Sequence, residues 1–306
     1  MAVKHFRSAP PLESGAHVAL VAPAGPLQKP EELARAQENA RTFGWEPVVG
    51  AHATEQTGYL AGHDRDRLND INRALRDPKM DAIWCLRGGY GMMRILDGID
   101  YEALSRKPKA IIGYSDITAF HAAVQRKCGL VTYHGPTARE ALTEFSRDSM
   151  RRAVIGQTDS CGVAPNAREI NAGAAEGRLV GGNLAVLASL CGTPFAADLT
   201  DGILILEDIN EPVYRIDRLL QQLRLSGALN GCKAIAFGEC TNSPDDADGA
   251  GRQFDHVLSE LAHGLGIPCL AGIPVGHIAE QWTIPLGAMA RLDTSKRALT
   301  VTAYKS

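Results

Sequence analysis

Apolar and polar residues alternate along the first half of the chain in a pattern typical of short buried strands followed by amphipathic helices. Apolar runs that end at Gly or Pro predict strands at residues 17–26, 46–52, 81–88 and 109–114. Helical spacing predicts helices at residues 29–45 and 64–78, and a third helix directly after residue 114. Strands alternating with helices of this length predict an α/β fold with a parallel sheet that is covered on both faces.

The pattern weakens near residue 157, where the chain becomes polar and rich in Gly and Ala. Beyond this segment it predicts strands at 202–212, 232–240 and 266–277, helices at 213–229 and 255–266, and a closing β-hairpin at 289–301. We therefore predict an N-terminal domain over residues 1–156, an inter-domain linker over 157–176 and a C-terminal domain over 177–306.

Three loops follow strands of the predicted parallel sheet, at residues 23–26, 87–91 and 113–116. Because functional residues of such sheets gather at the carboxyl ends of the strands, we expect these loops to meet. The segment RGGYG at 87–91 lacks the Lys-Ser/Thr of a P-loop and the spacing of a dinucleotide fingerprint. It could supply a backbone N–H to an oxyanion, or it could be an ordinary tight turn.

Ser115 stands where the strand at 109–114 becomes a helix. A serine at such an elbow can be a nucleophile, because its hydroxyl is exposed and the next backbone N–H, that of Asp116, is free to stabilise an oxyanion. Gly113 precedes Ser115 by two residues, but Ile117 follows it by two, so only half of a G-x-S-x-G elbow is present. A helix N-cap is the other role for this serine, and we expect Ser115 to combine both roles, because a helix N-terminus behind the attacking oxygen favours both.

Candidate partners for a serine nucleophile lie at the ends of later apolar segments. Glu207 ends the run ILILE, where a carboxylate could orient a histidine, and Glu239 has the same placement after AIAFG. Among nine histidines, His277 lies in a loop framed by Gly and Pro after an apolar strand. His134, in TYHGP, is its main competitor for the role of base.

Composition excludes several classes of protein. The chain has 306 residues, with 32 basic and 35 acidic residues and a net charge of −3, so no basic excess favours nucleic acid or an anionic membrane surface. No apolar run approaches the roughly 20 residues that span a bilayer. Seven scattered cysteines without a CxxC pair argue against a disulfide framework or a structural zinc site. We expect a cytoplasmic protein without a metal.

Six motifs in this order resemble the muramoyltetrapeptide LD-carboxypeptidase family, whose members are serine peptidases with a Ser-Glu-His triad. The resemblance spans almost the whole chain. The motifs are VALVAPAGP, AIWCLRGGYG, IIGYSD with YHGP, GRLVGGNLAVLASLCGTP, LILED, and GIPVGH followed by PLG.

The resemblance implies roles for individual residues of this sequence. Ser115 takes the position of the nucleophile, Glu207 that of the triad acid and His277 that of the general base. The oxyanion hole would consist of the backbone N–H groups of Asp116 and Gly89. Since the family's substrate carries a free carboxylate, Arg87 beside the glycine turn is a candidate to bind it.

The resemblance also implies the architecture and the activity. It implies a flavodoxin-like or amidotransferase-like parallel-sheet domain, a β-rich C-terminal domain, an active site between them, a homodimer, and no cofactor. The implied reaction is release of terminal D-alanine from murein tetrapeptides during peptidoglycan recycling.

Three other functions stay open. The first is that of the microcin C immunity peptidases, which act on aminoacyl-adenylate analogues and would need an aromatic side chain such as Trp282 to stack on adenine. The second is a catalytically silent ligand-binding module. A cysteine-dependent amidotransferase is less compatible, since the elbow carries Ser115.

Overall fold

The computed structural model describes residues 6–243 and 252–304. Its strands are β1 His17–Val21, β2 Glu46–Val49, β3 Met80–Cys85, β4 Ala110–Gly113, β5 Thr132–His134, β6 Gly162–Val163, β7 Arg168–Asn171, β8 Ala174–Asn183, β9 Gly202–Ile209, β10 Ala234–Thr241, β11 Cys269–Ala271, β12 Ile284–Leu286, β13 Met289–Asp293 and β14 Ala298–Ala303. The α-helices are α1 Glu31–Thr42, α2 Asp64–Arg76, α3 Tyr101–Arg106, α4 Thr118–Cys128, α5 Glu144–Met150, α6 Leu184–Leu190, α7 Val213–Leu225 and α8 Phe254–Leu265.

The first sheet has the strand order β12-β5-β4-β3-β1-β2. Strands β1 to β5 pair in parallel, which confirms the predicted parallel sheet. Strand β12 comes from the C-terminal part of the chain and pairs antiparallel with β5, with Ile284 opposite His134. One edge of the first sheet is therefore completed by a segment from the far end of the sequence.

Both faces of the first sheet are buried, as its continuous apolar strands predict. In β4, Ile112 belongs to the core that includes α1, and Ile111 belongs to the core that includes α2, α3 and α4. Successive side chains of a strand point to opposite faces, so this short segment contributes to both cores. The end of β4 is thus held firmly from both sides of the sheet.

The second sheet has the order β6-β14-β13-β8-β9-β10-β11-β7. Its centre, β8-β9-β10-β11, is parallel, and its flanking strands are antiparallel. Helices α6, α7 and α8 pack on one face, while the other face packs against apolar residues that include Trp282 and Ile284. The expectation of an α/β protein with a strand-rich second region is confirmed.

The range 157–176, predicted as a linker, supplies β6, β7 and the first residues of β8 to the second sheet. Its polar, Gly- and Ala-rich composition reflects short edge strands that are partly exposed. The domain boundaries at 156 and 177 stay a prediction.

The two sheets meet beside the start of α4. The backbone N–H of Asn183, at the end of β8, donates to the hydroxyl of Thr118, the first residue of α4, over 2.9 Å. Gly182 allows this approach, since a Cβ there would lie 2.5 Å from the same hydroxyl oxygen. In the described residues, no helix is both long and apolar enough to cross a bilayer.

Candidate active site

Ser115 lies two residues after the end of β4, in a short 3-10 turn, Ser115–Ile117, that leads into α4. Its φ of +64° is a left-handed conformation that is uncommon for a residue with a side chain. No side chain caps the 3-10 turn or α4, so the interpretation of Ser115 as an N-cap is wrong. A half-buried serine held in a strained strand-to-helix turn has the geometry of a nucleophile elbow.

The glycine turn at 87–91 packs against Ser115 through Gly88. A Cβ at Gly88 would lie 2.8 Å from the Cβ and 3.0 Å from the Oγ of Ser115, which leaves no room for a side chain. The N–H of Gly25 donates to the carbonyl of Gly88 over 2.8 Å. The loops at 23–26, 87–91 and 113–116 therefore meet, as predicted from the strand ends.

Gly89, predicted to donate to the oxyanion, follows in the same turn with a φ of +100°. A Cβ there would approach the Cα of Gly25 to 3.2 Å, so this residue must also be glycine. Within the described part of the chain, the backbone N–H groups of Gly89 and Asp116 have no intramolecular hydrogen-bond acceptor.

Asp116 has a second role, which the sequence analysis missed. Its buried carboxylate accepts a hydrogen bond from the backbone N–H of Met92 over 2.8 Å, which ties the residue after Ser115 to the end of the glycine turn. Burial raises the pKa of Asp116 to about 6, although the hydrogen bond from Met92 and the charge of Arg67 oppose the shift. A carboxylate directly after an elbow serine was the available signal.

Glu207 and His277 form a hydrogen-bonded pair. Glu207 lies in β9 with 0% exposure, and its Oε2 is 2.9 Å from Nδ1 of His277. Gly276 brings the two together, since a Cβ there would lie 3.2 Å from the Cβ of Glu207. An Nδ1–H that donates to the carboxylate leaves Nε2 of the imidazole as the proton acceptor.

The alternative acid and the alternative base take no part in this hydrogen bond. The N–H of Glu239 donates to the carbonyl of Val275 over 2.9 Å, and its side chain lines a separate cavity with Pro274 and Ile278. His134 is completely buried, and burial lowers its pKa well below the usual value. In the described residues, neither ring nitrogen of His134 has a hydrogen-bond partner.

Tyr114 connects the serine turn to the Glu207–His277 pair. This residue immediately precedes Ser115, and the centroid of its ring is 4.8 Å from that of the His277 imidazole. Burial lowers the pKa of His277, but the hydrogen bond and charge of Glu207, with the charges of Glu140 and Asp208, outweigh burial and raise it above the usual value. The imidazole is therefore a stronger base than an ordinary histidine.

Arg87 is half-buried, and its Nη1 donates to the carbonyl of Pro26 over 2.5 Å. Burial and the nearby charge of Arg139 lower the pKa of its guanidinium. Among the described residues it forms no salt bridge, whereas Arg139 pairs with Glu32. An unpaired guanidinium one residue from Gly88 can receive an anionic group.

One group of possible metal ligands occurs among the described residues. His52, Glu55 and Asp66 have ligand atoms within 4.8 Å of one another, in the segment between β2 and α2. Nδ1 of His52 lies 2.7 Å from a carboxylate oxygen of Glu55, so these two residues already satisfy each other. The group shares no residue with the Glu207–His277 pair.

The chain matches two family models. Residues 18–135 match the LD-carboxypeptidase N-terminal domain, and residues 176–292 match the LD-carboxypeptidase C-terminal domain.

Individual relatives are similar over nearly the whole chain. A probable murein peptide carboxypeptidase of Bacillus subtilis is 34% identical, covering 95% of this chain and 93% of that protein. The microcin C7 self-immunity protein MccF of Escherichia coli is 27% identical, covering 88% and 87%. The crystal structure of muramoyltetrapeptide carboxypeptidase from Oxalobacter formigenes is 30% identical with a TM-score of 0.85, covering 95% of this chain and all of that one (100%).

Proposed function

Since the chain belongs to the LD-carboxypeptidase family and is a serine-type carboxypeptidase, we propose that it releases terminal D-alanine from murein tetrapeptides with Ser115, His277 and Glu207 as its catalytic triad. The observation that carries the proposal is the buried Glu207–His277 hydrogen bond, 2.9 Å long, beside the strained turn of Ser115. The names of the relatives supply the substrate class.

In the proposed mechanism, Nε2 of His277 accepts the proton of the Ser115 hydroxyl as Oγ attacks the carbonyl carbon before D-alanine. The N–H groups of Gly89 and Asp116 stabilise the oxyanion. The imidazolium then gives its proton to the departing amine of D-alanine, which leaves an acyl-enzyme. Water, deprotonated by the same imidazole, releases the shortened peptide. Glu207 stabilises the imidazolium throughout.

The decisive experiment measures D-alanine release from L-Ala-γ-D-Glu-meso-diaminopimelyl-D-Ala in the presence of a metal chelator. We expect the enzyme to release D-alanine in the presence of the chelator, because no step of the proposed mechanism uses a metal. A folded enzyme that releases no D-alanine would contradict the proposed substrate.

Activity is expected to depend on pH through His277. The base must be neutral to accept the serine proton, so kcat/KM should rise with pH through the pKa of His277. Because the carboxylates around it raise that pKa, the midpoint of the acidic limb should lie above the ordinary histidine value of about 6.5. A pH profile of kcat/KM measures this midpoint, and a midpoint below the ordinary value would contradict the assignment of His277.

Arg87 is proposed to bind the terminal carboxylate of the substrate. Arg87→Met should raise KM on the order of ten- to a hundred-fold, because a hydrogen-bonded charge pair is lost at the substrate carboxylate. Steady-state kinetics on the tetrapeptide and on its C-terminal amide separate this role from a structural one. The amide lacks the carboxylate, so wild type and variant should have similar KM values for it. An equal rise in KM for both substrates would contradict the role of Arg87 in binding the carboxylate.

Aminoacyl-adenylate analogues are the alternative substrate class, since MccF is among the relatives. Trp282 does not favour it, because this side chain is 2% exposed and packs in the core of the second sheet. Hydrolysis of an aminoacyl-sulfamoyl adenosine, without D-alanine release, would support that alternative. A serine that is unreactive towards a fluorophosphonate would support a silent binding module instead.

The proposal includes a cytoplasmic homodimer, as the family resemblance implies, with neither nucleic acid nor a membrane as a partner. Light scattering coupled to size-exclusion chromatography measures the molar mass in solution, and a monomer would contradict the dimer.

A further inference from the structure

We infer that Glu140 is a positioning residue, which holds Tyr114 and, through the ring of Tyr114, the imidazole of His277 in its working orientation. This inference rests on the proposed function of Ser115 and His277. Glu140 lies in the loop between β5 and α5, outside every motif that pointed to the triad.

The loop that carries Glu140 is fixed to helix α1. The side-chain amide of Asn39, in α1, donates to the carbonyl oxygens of Ala138 and Glu140, both over 2.8 Å. One carboxylate oxygen of Glu140 accepts hydrogen bonds from the hydroxyl of Thr137 over 2.7 Å and from its backbone N–H over 3.3 Å. The position of this carboxylate is therefore set by the N-terminal half of the chain.

The other carboxylate oxygen faces the segment that carries His277. It accepts a hydrogen bond from Nε2 of Gln281 over 3.3 Å, and the Tyr114 hydroxyl also interacts with the Glu140 carboxylate. Gln281 is itself buried and donates its backbone N–H to the hydroxyl of Ser146 over 3.0 Å. Burial raises the pKa of Glu140 above its usual value, although hydrogen bonds from Thr137 and Tyr114 and the charge of Arg139 favour the ionised carboxylate.

The link to catalysis is the contact between Tyr114 and His277. The hydrogen bond that Nδ1–H donates to Glu207 fixes one edge of the imidazole but leaves the ring free to rotate about that bond. The Tyr114 ring, 4.8 Å away and inclined by 55°, restricts this motion. Glu140 interacts with the hydroxyl end of Tyr114 and thus keeps the Tyr114 ring against the imidazole.

Glu140 also acts on His277 by its charge. The groups that face the imidazole are Glu207 and Asp208 from β9, Glu140 from its loop, and the neutral His134 and Tyr114 from the first sheet. Negative charge favours the imidazolium, so Glu140 contributes to the raised pKa of His277. Loss of the Glu140 charge should therefore lower that pKa.

The test is Glu140→Gln, read by the rate at which a fluorophosphonate modifies Ser115 as a function of pH. This probe needs the serine and its base but no peptide. We expect the modification rate to fall on the order of ten-fold or more through misalignment of His277, and the acidic limb to move to lower pH. On the tetrapeptide, the loss should appear in kcat rather than KM, because the inference assigns Glu140 to the positioning of His277 and not to substrate binding.

Two further variants give the test its controls. Glu144→Gln removes an exposed carboxylate four residues away and should leave both the rate and the pH profile unchanged. Tyr114→Phe keeps the ring but removes the hydroxyl that interacts with Glu140, so it should lower the modification rate. In the Tyr114→Phe background, Glu140→Gln should then lower the modification rate by a smaller factor than it does in the wild type. An acidic limb that does not move in folded Glu140→Gln would overturn the inference. A wild-type enzyme that does not react with the probe would instead contradict the proposed triad.

Discussion

Ser115→Ala is expected to lower kcat for D-alanine release on the order of 10⁴-fold or more, because no other group can form the acyl-enzyme. The variant should bind the tetrapeptide with nearly unchanged affinity, since the hydroxyl contributes little to ground-state binding. Single-turnover kinetics measure the chemical step, and isothermal titration calorimetry measures the binding.

Stability separates the two roles that the sequence left open for Ser115. A capping serine would cost roughly 1 kcal/mol of unfolding free energy on replacement by alanine. The Ser115 side chain caps neither the 3-10 turn nor α4, and alanine meets the same strain as serine at a φ of +64°. We therefore expect a change within about 0.5 kcal/mol, since the substitution removes no capping hydrogen bond.

Ser189→Ala, at an exposed position in α6, is the matched control and should retain full activity. A Ser115→Ala enzyme that kept its activity would remove Ser115 as the nucleophile. A Ser115→Ala variant that lost stability as well as activity would support the interpretation of Ser115 as a capping residue.

The first sheet could be predicted because its strands are continuous apolar runs and its helices have clear start and stop signals. Residues 64–78, for example, place Leu68, Ile71 and Leu75 on one face ahead of Pro78, and the structure has α2 at Asp64–Arg76. Strands β5 and β12 were missed because each has only three residues. Short strands paired over long sequence distances leave little local pattern.

The segment 157–176 was assigned to a linker because its edge strands carry no apolar alternation. Strand β6 has only two residues, and β7 reads Arg-Glu-Ile-Asn with both ends partly or fully exposed. Their positions are set by pairing with β14 and β11, which come more than 90 residues later. Such pairing depends on tertiary contacts, which a local reading of composition cannot supply.

Only those residues of the candidate site that lie in recognisable sequence motifs could be predicted. Position alone did not separate Glu207 from Glu239, or His277 from His134; the hydrogen bond and the burial of the side chains distinguish them. Glu140 was missed because its partners come from three distant segments of the chain. Its relation to His277 is visible only after the two sheets are assembled.

Glu207→Gln is expected to lower kcat/KM on the order of 10³- to 10⁴-fold, because the amide favours the wrong tautomer of His277. The NH₂ of glutamine can donate to Nδ1, which places the ring proton on Nε2, where it can no longer accept the serine proton. The variant also loses the negative charge that stabilises the imidazolium. In the pH profile of the residual kcat/KM, the midpoint of the acidic limb should lie at lower pH than in the wild type, since Glu207 contributes most to raising the pKa of His277.

Stability should change in the opposite sense to activity. Glu207 is completely buried, and its Oε1 has no hydrogen-bond partner among the described residues, so the ionised carboxylate carries a desolvation cost that the neutral amide avoids. We expect Glu207→Gln to melt at or above the temperature of the wild type, as measured by calorimetry. Glu239→Gln is the matched control, because Glu239 lies in the neighbouring strand β10 and lines the cavity with Pro274 and Ile278, and it should keep near wild-type kcat/KM. If Glu239→Gln lost as much activity as Glu207→Gln, the acid of the triad would have to be reassigned. If only Glu207→Gln is inactive and it is as stable as the wild type or more stable, the buried charge of Glu207 serves catalysis at the expense of stability.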